Sequence, residues 1–97
     1  MNDIEALRRA IRKEHGCDAL HMAAVPIVEA VGGYPVWDGT VEVFAVQHHD
    51  AKTCYAWNYP CGETNKDTTC VTVLGKPPID SPEQAVREFI VSESARR

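Results

Sequence analysis

Ninety-seven residues, 44% of them hydrophobic and 25% charged, describe one globular domain over 1–97 with enough apolar side chain to fold without staples. A net charge of −4 argues against a dedicated nucleic-acid binder. No apolar run approaches the roughly 18 residues of a membrane-spanning helix, so no membrane association is expected.

Met1-Asn2-Asp3-Ile4-Glu5 lacks a basic segment followed by an apolar stretch, so no secretory signal is expected and the expected address is the cytoplasm. Asn2 or Asp3 can cap a first helix running to about Glu14. Ile4, Leu7 and Ile11 form its apolar stripe, Ala10 widens it, and Gly16 is placed to end it in a left-handed conformation. Residues 19–24 fit either an extended segment or a short helix, whereas Val25-Pro26-Ile27-Val28 reads as extended. Gly32-Gly33 is a two-residue hairpin signal between a first strand over about 20–31 and a second over about 34–47. Pro26 cannot donate to a ladder, so the first strand should be an edge, and Asp38-Gly39 should mark a bulge or kink. A turn at 49–52 leads to a third strand over 53–59. A polar loop over 60–66 precedes a Thr- and Val-rich fourth strand over 67–74. Ser81-Pro82-Glu83-Gln84 opens a second helix with a capping box, and Ala85, Val86, Phe89 and Ile90 supply its apolar stripe.

The order is helix, four-stranded antiparallel meander, helix: an α+β fold, with both helices expected on one face of the sheet. Tyr55, Trp57 and Tyr59 are spaced two apart, so their rings share a face of the third strand, and each ring has about 150–250 Å² to bury. An even-length turn would set Phe44 opposite Trp57, Val46 opposite Tyr55 and Glu42 opposite Tyr59. The small side chains of Ala45, Cys54 and Ala56 would then let the helices approach the other face. Two readings stay open: the rings are core beneath the helices, or Phe44, Val46, Tyr55, Trp57 and Tyr59 form an uncovered binding face. The polar tips of Tyr and Trp favour the second. It predicts a non-enzymatic module that homodimerises or binds another protein through this face. The alternative is a small-molecule-binding protein or minor enzyme with an aromatic-lined pocket beside His48 or His49. RNA binding by base stacking is a weaker one, opposed by the acidic charge.

The cysteines, Cys17, Cys54, Cys61 and Cys70, include no C-x-x-C pair and are expected as thiols in a reducing compartment. His48, Cys54, Cys61 and Cys70 are the residues from which a zinc site would be drawn, but their spacing does not converge and no metal is expected. His15, Cys17 and His21 form a second loose cluster, better read as a helix end and a strand start. The chain has no G-x-G-x-x-G, H-E-x-x-H or G-x-S-x-G, and Cys70 stands where a phosphate loop ending at Gly75-Lys76 would need glycine. No cofactor or catalytic residue is therefore expected.

Val41-Glu42-Val43-Phe44, Cys54-Tyr55-Ala56-Trp57 and Pro77-Pro78-Ile79-Asp80-Ser81-Pro82 together resemble a family of small, uncharacterised bacterial proteins, which carries no activity to transfer. The topology is also similar to a double-stranded-RNA-binding fold with an extra strand. The chain departs from that fold at Ile79-Asp80-Ser81-Pro82-Glu83-Gln84, acidic where the fold has a basic cluster.

Overall fold

The computed structural model describes the backbone of residues 2–47, 50–60, 68–77 and 79–95, and their side chains except those at 31, 59, 60, 68, 69 and 93–95. Helix α1 (Ile4–His15) begins where the Asp3 carboxylate accepts from the Ala6 N–H at 3.1 Å. It ends at Gly16, whose φ of 68° lets its N–H reach the Arg12 carbonyl. The hairpin of β1 (Ala19–Val31) and β2 (Tyr34–Val46) turns on Gly32 and Gly33, with φ of 59° and 85°, the two positive φ values that a tight right-twisting hairpin requires. Strands β3 (Thr53–Pro60) and β4 (Thr68–Leu74) complete one antiparallel sheet in the order β1-β2-β3-β4, with β1 at the edge as Pro26 demands. Helix α2 (Pro82–Ala95) starts with the Gln84 N–H donating to Ser81 Oγ at 3.2 Å. The α+β class and the element order are those read from the sequence.

The helices, however, lie on opposite faces. Leu7 and Ile11 of α1 pack with Phe44, Val46, Cys54 and Ala56. Ala85 and Val86 of α2 pack with Ile27, Val41, Tyr55 and Trp57. Alternate β3 residues thus belong to different cores, and the sheet is the middle layer of three. The likeness to the double-stranded-RNA-binding fold ends at the order of elements.

The register explains the difference. Val46 N–H donates to the Lys52 carbonyl at 3.0 Å, so the connection is 47–51, of odd length. Phe44 then faces Cys54, Val43 faces Tyr55 and Glu42 faces Ala56. Relative to the expected pairing this is an odd shift, which moves every β3 side chain to the other face relative to β2. Asp38 and Gly39 pair regularly with Val28 and Ile27, and the irregularities lie between His21 and Ala23, where Met22 of β1 is extra, and between Glu29 and Ala30, where Val36 of β2 is extra. The expected bulge at Asp38-Gly39 is therefore corrected. Residues 19–24 are extended. The expected loop at 60–66 lies, apart from Pro60, outside the described residues.

The sheet is tightly paired at its two ends and weakly joined in the middle. β1 and β2 pair along their whole lengths, and β3 and β4 pair from Cys54 to Pro60. Between them the register runs only from Glu42 to Ala45 on β2. Beyond Glu42 the long hairpin leaves β3, and the two arms frame a wedge.

Candidate functional site: the cleft between the sheet arms

Four of the five expected interface residues are core. Phe44 and Trp57 are fully buried, and Tyr55 and Val46 are no more than 9% exposed. Trp57 meets Phe89 of α2 edge-on at 5.5 Å and Trp37 at 5.5 Å. Phe44 lies beneath α1, edge-on to His21 at 5.3 Å. Placement on an uncovered face is corrected for these four, because helix α2 covers the side that α1 does not. The Tyr59 side chain lies outside the described residues, as do His48, His49 and Cys61. Cys54 and Cys70 share a face, but Cys54 pairs with Leu74 and Cys70 with Asn58, so they sit four positions apart, about 13 Å along the sheet. Burial pushes the Cys54 thiol up to about 12, with Cys17 nearby adding to it, which makes it an inert core group. Burial also raises Cys17. Tyr55 is raised by burial first and then by Asp80 and Glu83. Among the described residues no three His, Cys, Asp or Glu side chains converge as a metal site.

The wedge between the arms is the concave feature of the described residues that combines volume with buried polar groups. It encloses about 760 Å³, within the range of small-ligand sites. One wall is a continuous run of β2, Val36 to Thr40 with Glu42, and the other is Trp57 and Asn58 of β3. Ile4 and Asn2 close the end near α1, and His21 and Ala24 line it from β1.

Asn2 holds the apex. Its Nδ2 donates to the Thr40 carbonyl at 2.6 Å and to Glu42 Oε2 at 2.7 Å. Its Oδ1 accepts the Asn58 N–H at 2.8 Å. Continuing the β2–β3 register would set Thr40 opposite Asn58, so the Asn2 carboxamide stands where the next ladder bonds would be. The Asp3 N–H donates to Asn58 Oδ1 at 2.6 Å, tying the start of α1 to the same strand. Asn58 Nδ2 in turn reaches Cys70 Sγ at 3.5 Å.

Among the described residues Glu42 is the buried polar one. Its second oxygen, Oε1, lies 2.8 Å from His21 Nε2. Both carboxylate oxygens are thus partnered, as a buried charge requires. The pair sets a carboxylate and an imidazole side by side at the cleft. Asp38 adds a second carboxylate, and no Lys or Arg is among the described lining residues. Trp57 Nε1 is buried with no hydrogen-bond acceptor among the described residues.

Asn2, His21 and Glu42 were not read from the sequence as a unit. The available signal was a lone carboxylate in the apolar run Val41–Val46 and a lone histidine in Ala19–Val28. Charges set within such runs need partners.

No family model, curated protein or solved structure matches this chain. No described helix is long and apolar enough to cross a membrane.

Proposed function

We propose that this protein is a non-enzymatic binding module whose ligand enters the cleft between the two sheet arms. The observation that carries this reading is a built polar site at the bottom of an open wedge: Glu42, buried and held by His21 and Asn2, in a cleft that Trp37 and Trp57 also line. Core polar networks cost stability unless fully satisfied. Placing one at a cleft supports a recognition role. The sequence expectation set an aromatic-lined pocket beside His48 or His49; this cleft is a different one, lined by Trp37 and Trp57. The free cysteines Cys17, Cys54 and Cys70 fit a cytoplasmic setting.

The test is a small-molecule fragment screen read by NMR at the Asn58 amide and the Trp57 indole N–H. Hits should shift both signals, and filling the cleft with Ala24→Phe should abolish them while leaving the denaturation midpoint in place. Hits that map elsewhere, or that survive Ala24→Phe, refute the reading.

A homodimer is favoured by a different observation. Leu20, Met22, Val28, Tyr34 and Val36 of the long hairpin are exposed, Tyr34 to 77%. A second copy covering them would be a dimer through the β1–β2 arm and not through the ring face of β3. Light scattering of the wild type against Val28→Lys tests it: a monomer in both rejects it.

A further inference from the structure

We infer that the cleft takes an extended peptide segment with a basic side chain, which adds as a strand along the inner edge of β2. This rests on the cleft being the binding site and names its ligand. Val36, Trp37, Asp38, Gly39 and Thr40 line the cleft consecutively, so a strand edge lines it as well as side chains. Backbone groups of alternate residues point to alternate sides of a strand. The Thr40 carbonyl points toward β3, where Asn2 meets it. Asp38, two residues away in regular pairing with Val28, therefore turns its own N–H and C=O into the cleft. Among the described residues these groups face a gap that β3 does not fill, because β2–β3 pairing begins at Glu42.

Asn2 shows what fits that gap. Its carboxamide donates on one side, to Thr40, and accepts on the other, from Asn58. A peptide group in an extended chain does the same, with N–H and C=O aimed at opposite neighbours. The apex is thus already one amide wide, the width of an inserted strand, and a peptide continuing outward from Asn2 would meet the Asp38 backbone next. This is strand addition to a sheet edge, with backbone bonds giving affinity and side-chain pockets giving selectivity.

Charge selects the side chain. Asp38, Thr40 and Glu42 alternate along the α1-facing side of β2, and no Lys or Arg opposes them among the described lining residues. A basic residue is complementary. The outer edge of β1 is a poorer template. Pro26 pairs with Thr40, whose carbonyl points away from β1. Pro26 therefore also points outward, and it removes a donor from that edge, which the irregularity at His21/Ala23 interrupts further.

The probes are a capped peptide of alternating lysine and valine, its two forms N-methylated at alternate residues, and a form with glutamate for lysine. Amide shifts of Asp38 and Thr40 and the Trp57 indole N–H report binding. The lysine peptide should shift all three, and methylation of the edge facing β2 should weaken binding by about tenfold, the loss of one to two backbone bonds. The glutamate form should also bind more weakly, and the lysine peptide should weaken with added salt. Equal binding by both methylated forms overturns the inference, as do shifts confined to β1. If n-butylamine or other fragments shift these signals while the lysine peptide does not, the strand fails and the cleft reading stands. If nothing shifts them, both fail.

Discussion

Replacing Asn2 by alanine should unfasten the two halves of the sheet. The side chain makes one bond to the Thr40 carbonyl, one to the Asn58 N–H and one to the Glu42 carboxylate. A neutral hydrogen bond contributes about 1 kcal/mol net, and one to a charged group about 1.5–3 kcal/mol. Thr40 is exposed, and Asn58 is half-buried at the cleft wall, so water takes over much of the first two. Glu42 is only 5% exposed and is left with His21 alone. The expected loss is therefore about 2 kcal/mol, mostly from the stranded carboxylate. Urea denaturation should show a lower midpoint with an unchanged slope. Hydrogen exchange at the Asn58 amide should accelerate, because its acceptor is gone. Asn2→Asp keeps an acceptor for Asn58 but sets a second carboxylate against Glu42, so it should destabilise at least as much while protecting the Asn58 amide better. If Asn2→Ala stays within about 0.5 kcal/mol of the wild type, the range of an ordinary surface change, and Asn58 exchange is unmoved, then Asn2 does not join the arms.

Trp57→Ala should cost about 3–5 kcal/mol, the value for a large aromatic in a core; calorimetry showing a loss under about 1 kcal/mol would mean that the ring is not the centre of the α2-side core. Gly75→Ala should destabilise by about 1–3 kcal/mol, because an added Cβ would lie 3.1 Å from the Thr53 carbonyl oxygen, a backbone atom that also accepts the Gly75 N–H at 2.8 Å; a neutral thermal shift would contradict that. Cys54 predicts alkaline lability: its thiol is raised from 9.0 to about 12 by burial, then by Cys17, so the folded chain keeps a proton that the unfolded chain releases. Stability is full below about pH 9 and falls as pH rises toward 12, by about 4 kcal/mol for three units at 1.36 each. Guanidinium titrations at stepped pH should show this slope and its flattening in Cys54→Ala, with a residue from Tyr55 and Cys17, also raised by burial.

Local signals proved legible and non-local ones did not. Asp3, Gly16, Gly32-Gly33 and Ser81-Pro82 each act through their own dihedrals or nearest hydrogen bonds, and each sits at the boundary that the sequence implies. Pro26 placed β1 at the edge for the same kind of reason. The β2–β3 register depended on the length of the connection at 47–51, which neither periodicity nor composition encodes. One odd shift exchanged the two faces of β3 and turned an expected binding surface into core. The three residues that bind the cleft together come from the start of α1, from β1 and from β2, and Asn2 lies 40 positions from Glu42. No spacing rule reaches that far. Only the isolation of Glu42 and His21 in apolar strands pointed to a buried polar pair.

The cleft follows from how two helices share a four-stranded sheet. Two-stranded ribbons twist more than wide sheets, and the β1–β2 hairpin is 13 residues long on each strand, whereas β3 has 8. A long ribbon joined to a shorter pair must leave it once its own twist exceeds what the seam can follow. Each helix then secures one side of the divergence. On one face, α2 spans it, with Phe89 on Trp57 of β3 and Arg87 2.8 Å from Glu29 of β1. On the other, α1 packs near the seam, with His15 bonded to Thr72 of β4 at 2.9 Å and Arg8 to the Ala19 carbonyl at 3.1 Å. It stops short of the outer hairpin, where Ala24, Val36, Asp38 and Thr40 stay exposed. A helix that reached further would have closed the wedge as core. Asn2, just before the start of α1 at Ile4, bridges the gap with a side-chain amide in place of a strand. The open part of the wedge is thus the part of the sheet edge that no described strand or helix satisfies, and its hydrogen-bond positions, unfilled among the described residues, are the physical basis for expecting a ligand there.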